Sequence, residues 1–146
     1  MNITTIEKFS VAGISVRTKN SNEMSPSTAK IGSLWEKFYG ELAPKLNQNA
    51  RVFGLYTNYE SDHTGLFDVV ACSDSLLTEN VEKHDVKAGN YVKFKAAGEM
   101  PQVVIDLWGA VWKYFDANDC DYKRTFTTDF EFYKSENEVE IFISVE

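Results

Sequence analysis

One pattern occurs twice, in the same order, and this repetition limits the available folds more than any single segment does. Ala12-Gly13 lies against Ala88-Gly89, Leu34-Trp35 against Leu107-Trp108, Phe53 with Tyr56 against Phe130 with Tyr133, and Phe67-Asp68-Val69 against Val139-Glu140-Ile141. Each half reads as strand, helix, strand, strand. In the first half, residues 3–17 form one strand or a broken pair about Gly13. The polar run 18–27 then leads into a helix with Ser27 or Thr28 as its cap. Ile31, Leu34, Trp35, Phe38 and Leu42 recur at steps of three and four, which makes one apolar helix face, and Pro44 ends it. Residues 51–59 (RVFGLYTNY) and 66–72 (LFDVVAC) are rich in β-branched and aromatic residues and read as strands. In the second half, residues 85–96 form a strand pair around Gly89 and Pro101 sits in the first turn of a helix. Val104, Leu107, Trp108, Val111, Trp112 and Phe115 form its stripe until Asn118 and Asp119, and two strands, 126–133 and 139–145, follow. A unit of roughly 70 residues buries too little surface to stand alone, whereas two units sharing a core do not have that weakness. The expectation is one α+β domain over residues 1–146, a pseudo-twofold tandem of two strand–helix–strand–strand modules, about 1–76 and 77–146, around a shared core.

Charge and cysteine usage narrow the partners. With 22 acidic against 15 basic residues the formal net charge is -7, a field that repels phosphate backbones and concentrates cations, so no direct nucleic-acid partner is expected. No window approaches 18 uninterrupted apolar residues, which argues against a membrane partner, and MNITTIEKFS lacks the basic-then-apolar pattern of a leader. Cys72 and Cys120 are two isolated thiols, which suits a reducing, cytoplasmic setting. His63 and His84 have no second ligand at metal spacing, so neither metal nor cofactor is expected. Phosphate-cradling glycine loops and nucleophile elbows are absent.

What remains is acid set among rings. Asp68 and Glu140 each interrupt an apolar final strand, and a carboxylate pressed against apolar surface stays ionised only beside a cation, a hydrogen bond or water. Aromatic residues make up 14% of the chain. Trp35, Trp108, Trp112, Tyr56, Tyr59, Tyr91 and Tyr133 fall near the strand and helix surfaces that the repeat brings together. An aromatic wall with one buried carboxylate suits a lipophilic organic cation, each good ring contributing roughly 0.5–2 kcal/mol of cation–π attraction. Glu140 is the first choice for that carboxylate.

Three fragments carry a resemblance that covers nearly the whole chain. AGNYVKF at 88–94, LWGAVW at 107–112, and DFEFY at 129–133 followed by VEIFISV at 139–145 resemble, in order and spacing, the effector-binding domain of the GyrI-like superfamily, which also occurs fused to AraC-type and MerR-type transcription factors. The resemblance implies a tandem strand–helix–strand–strand fold. It implies that Glu140 matches the acidic residue that pairs with cationic, lipophilic ligands in relatives, and that Tyr133 and Trp108 match recurrent positions. Ser144 stands where relatives commonly carry proline, and Phe67 where several carry tyrosine. The role implied is that of a stand-alone small-molecule-binding domain, like the drug-binding members carried on mobile gene cassettes, which sequesters its ligand or serves a separate DNA-binding regulator. Other relatives imply a hydrolase of strained electrophilic small molecules in which Glu140 acts as general base on water, or an inhibitor that docks on a topoisomerase-like protein.

Overall fold

The computed structural model describes residues 3–146; Met1 and Asn2, the start of the segment searched above for a leader, lie outside the described residues. Alternating and β-branched runs become eight strands: β1 (Ile3–Ile6), β2 (Phe9–Thr18), β3 (Val52–Thr57), β4 (Phe67–Ser73), β5 (Glu82–Val86), β6 (Gly89–Ala97), β7 (Thr128–Ser135) and β8 (Glu138–Val145). They pair antiparallel in one sheet of order β1-β6-β8-β7-β3-β4-β2-β5. The two halves meet at β3 and β7, where Val52 opposes Tyr133, Gly54 opposes Glu131 and Tyr56 opposes Asp129. Outward from that seam each half continues in the same order, β7-β8-β6 on one side and β3-β4-β2 on the other. The edge strands are exchanged: β1 precedes β2 in the chain but pairs with β6, and β5 precedes β6 but pairs with β2. The two breaks read in the sequence at Gly13 and Gly89 therefore resolve differently. Strand β2 runs unbroken through Gly13, which passes so close to the Ala71 carbonyl of β4 that no side chain fits, whereas Gly89 begins β6 after the crossing from β5.

Both long helices cover the same face. Helix α2 (Ile31–Glu41) buries Leu34 and Phe38, and α3 (Gln102–Asp116) buries Val103, Leu107 and Val111, as their apolar stripes require. Leu34 and Phe38 pack with Tyr56, Phe67, Val69 and Ala71; the α3 stripe packs with Val92, Phe94 and the odd-numbered residues 139–145 of β8. Helix α2 begins later than its sequence suggests. Neither Ser27 nor Thr28 caps it; the Glu23 carboxylate, from the one-turn helix α1 (Asn20–Glu23), accepts the backbone N–H groups of Lys30 (2.9 Å) and Ile31 (3.0 Å). The sheet's other face has its own core, in which Val11, Phe53, Leu55, Val70, Val86, Tyr91, Phe130 and Phe142 from both halves cluster.

The register corrects one element of the repeat. Phe53 opposes Cys72 as Phe130 opposes Phe142, and Leu55 opposes Val70 as Phe132 opposes Glu140. The counterpart of Glu140 is therefore Val70, and Asp68 corresponds to Glu138 at the strand end. The connection between the paired strands is longer in the first half, from Thr57 to Phe67, than in the second, from Ser135 to Glu138, and a bulge in β7 between Tyr133 and Ser135 shifts the pairing by one residue at that end.

Candidate functional site

Strand alternation decides which side chains of the seam meet the helices. On β7, Phe130 and Phe132 point into the core of the opposite face, and Glu131 and Tyr133 point under α2 and α3. On β3, Gly54 and Tyr56 do the same. Between the two helices and this seam lies a cavity of about 860 Å³, open on one side. Trp35 and Tyr39 from α2, Trp108 and Trp112 from α3, and Tyr56, Tyr59, Phe67 and Tyr133 form its aromatic wall.

At its floor stands Glu131, 3% exposed. Tyr133 donates its hydroxyl to Oε1 (2.7 Å), while Tyr56 (2.9 Å) and the Trp108 indole N–H (2.6 Å) donate to Oε2. All three donors are neutral, and none of the ion pairs among the described residues includes Glu131. Burial pushes its pKa up from the ordinary 4.5, and the Trp108, Tyr133 and Tyr56 hydrogen bonds pull it back in part. The two tyrosines are the repeat's own counterparts, so a pseudo-symmetric pair clasps a single acid. Each tyrosine is backed by the tryptophan of the other module's helix: Trp35 meets Tyr133 at 5.2 Å, edge to face, and Trp108 meets Tyr56 at 5.0 Å. The acid itself has no twin. Its counterpart across the seam is Gly54, where an added Cβ would collide with Glu131 Oε1 and sit 3.2 Å from Trp35.

A second buried charge borders the same cavity. Arg124 donates from Nη2 to Asp129 Oδ2 (2.8 Å), with side chains 7% and 0% exposed. Asp129 also accepts the Tyr59 hydroxyl (2.5 Å) and the Ser144 backbone N–H (2.9 Å). Burial, and then the Asp129 charge, push the Tyr59 pKa well up, with Arg124 opposing. This residue therefore stays a hydrogen-bond donor.

Of the residues singled out from the sequence, Trp35, Trp108, Trp112, Tyr56, Tyr59 and Tyr133 border the cavity. Three others lie elsewhere. Glu140 projects from the opposite face of β8, because it is one residue out of phase with Ile141, which opposes Glu131. There Lys93 neutralises it at 2.9 Å, and the Lys93 ammonium lies 5.7 Å from the Phe142 ring centroid. That ion pair compensates the burial of Glu140, which is not among the residues lining the cavity between the helices. Tyr91 is 1% exposed in the core of that same face and donates its hydroxyl to the Lys87 carbonyl (2.6 Å). Asp68 binds Arg17 (3.1 Å) and Asn58 (2.8 Å) near the surface. Glu131 and Arg124 are not singled out by composition, spacing or the resemblance. The available signal for Glu131 was alternation in DFEFY, which sets an acid and a tyrosine on one face between two phenylalanines on the other. Among the described residues no group of three or more His, Cys, Asp or Glu is placed to hold a metal, and no helix is long and apolar enough to cross a membrane.

The fold, an antiparallel sheet of two modules with helices on one face, is shared with a bacterial transcription regulation protein of Staphylococcus aureus MU50 (TM-score 0.77, 18% identity, 99% of this chain and 97% of that one). Residues 2–145 match the Cass2 family model, described as integron-associated effector binding protein, and the chain belongs to that family. It is 59% identical to the integron cassette protein VCH_CASS2 from the mobile metagenome of Vibrio cholerae, covering 99% of this chain and 95% of that one with a TM-score of 0.93. YobU of Bacillus subtilis, named as a transcriptional regulator, is 29% identical over 140 residues, 90% of this chain and 84% of YobU. The fold is shared with SAV2435, whose structure is bound to tetraphenylphosphonium (TM-score 0.74, 19% identity, 99% of this chain and 93% of that one).

Proposed function

We propose that this effector-binding protein takes lipophilic aromatic cations into the cavity, with Glu131 as their charge partner. The observation that carries the reading is a carboxylate 3% exposed, ringed by tryptophan and tyrosine and held by neutral donors alone. An ionised carboxylate in such a place keeps an unmet electrostatic demand, which a cation shedding its own hydration on the aromatic walls can answer. The net charge of -7 favours the encounter. The tetraphenylphosphonium held by SAV2435 supports the ligand class. The name given to YobU supports a tie to transcription, either through sequestration of the ligand or through a separate DNA-binding regulator that takes the loaded domain as its partner.

Calorimetric titration with tetraphenylphosphonium and with neutral triphenylmethane tests this. Glu131→Gln keeps the shape and removes the charge, so it should weaken the cation by roughly ten- to a hundredfold, the scale of a charged hydrogen bond, and leave the neutral compound unchanged. Glu140→Gln should leave both unchanged. Loss of cation binding in Glu140→Gln but not in Glu131→Gln would move the role back to the residue paired with Lys93.

A further inference from the structure

The cavity has a second polar feature that a bare cation does not use. Arg124 sits at its wall on a short segment pinned to the end of β8: its backbone bridges to Val145, Thr125 donates its N–H to the Ser144 carbonyl (3.0 Å), and Glu146 donates to Lys123 (2.9 Å). The next turn is strained. Phe126 adopts φ +53°, the left-handed region that a bulky residue enters only when its surroundings enforce it. That turn lays the Phe126 ring beneath the guanidinium at 4.4 Å, and Phe115 lies at 5.8 Å. The group is thus fixed from below by a ring and from one side by Asp129.

The fixing consumes little of its donor capacity. Among the described residues the guanidinium donates from Nη2 to Asp129 and lies against the Tyr59 hydroxyl, and Nε, fully buried, has no protein acceptor. A planar fork with five N–H donors is left largely unmatched, 7% exposed, at the edge of an apolar chamber. Burying unmatched donors is costly, so an acceptor brought by a ligand to the reachable face of the fork is worth more here than in water. Phe67 links this pole to Glu131, since its ring touches both Tyr56 (5.7 Å), which donates to Glu131, and Tyr59 (5.8 Å), which donates to Asp129.

We infer that Arg124 is a ligand-binding residue that selects, among aromatic molecules entering the cavity, those carrying an uncharged acceptor oxygen such as a ketone, ester or amide carbonyl. An uncharged oxygen is favoured over a carboxylate because Asp129 already occupies the guanidinium at Nη2, and a second anion would face both Asp129 and Glu131. The inference rests on reading the cavity as a ligand site but not on Glu131 as the charge partner.

Two matched probe pairs separate these claims by calorimetry. The cationic pair is tetraphenylphosphonium and its 4-acetyl derivative; the neutral pair is diphenylmethane and benzophenone. In the intact protein the carbonyl member of each pair should bind about tenfold more tightly than its partner. Arg124→Lys, which can still neutralise Asp129, should reduce that ratio to about one in both pairs, the ratio within each pair being the readout and not the absolute affinity. Arg124→Met, if it folds, should do the same. Equal affinity within both pairs in the intact protein, no measurable binding of either carbonyl probe, or an undiminished ratio in Arg124→Lys would each overturn the inference. Loss of the cation preference with an intact carbonyl preference would instead overturn the role of Glu131 alone.

Discussion

At the scale of single residues, the site depends on an acid kept away from water and a glycine that makes room for it. Because burial holds the Glu131 pKa above 4.5, the folded protein retains a proton there that the unfolded chain has already released. The stability this group contributes is therefore present at low pH and lost as pH rises through the raised value. Above that pH, ligand-free Glu131→Gln should melt a few degrees higher than the parent protein, and the gap should close towards pH 4.5; a gap that widens on acidification reverses the sign. Cation affinity runs the other way. It should fall by up to about tenfold for each pH unit below the raised pKa, since only the ionised carboxyl attracts the ligand, and in Glu131→Gln the same titration should be flat. Gly54→Ala drives a methyl group into Glu131 Oε1 and towards Trp35, so it should cost at least about tenfold in tetraphenylphosphonium affinity by calorimetry, through displacement of the acid. Why Glu140 looked like the better acid is also a residue-scale matter. Its apolar neighbours were evident in VEIFISV, whereas its neutralisation by Lys93 depends on pairing between β6 and β8.

At the scale of elements, helix stripes and strand alternation were legible to within a few residues, because both are local periodicities that burial enforces. Helix starts were less so. Helix α2 takes its cap from Glu23, across a loop, and the same carboxylate accepts the hydroxyl of Thr18, which is fully buried. Glu23→Ala should therefore lower stability by about 1–2 kcal/mol in chemical denaturation, a larger effect than Ser27→Ala, whose exposed hydroxyl meets Ser25. Glu23 and Ile31 also border the cavity, so the loss should loosen the wall that carries Trp35 and weaken tetraphenylphosphonium in parallel.

At the scale of the whole molecule, the two modules are joined by the β3·β7 pairing, by exchanged edge strands and by a core to which both contribute. The Phe130 and Phe142 rings stack at 4.6 Å in that core, and Phe53 lies 5.9 Å from Phe130 across the seam. Phe130→Ala should cost about 3–5 kcal/mol and shift a single cooperative unfolding transition, with tryptophan fluorescence from both helices moving together; two separate transitions would mean that the halves fold on their own. The sequence by itself determined the doubling, the element types and the aromatic, net acidic character of the chain, because each is written in local spacing and composition. Which acid faces the cavity was decided only in three dimensions. Adjacent positions on a strand lie on opposite faces, and the lysine that neutralises one candidate arrives from a strand more than forty residues earlier in the chain.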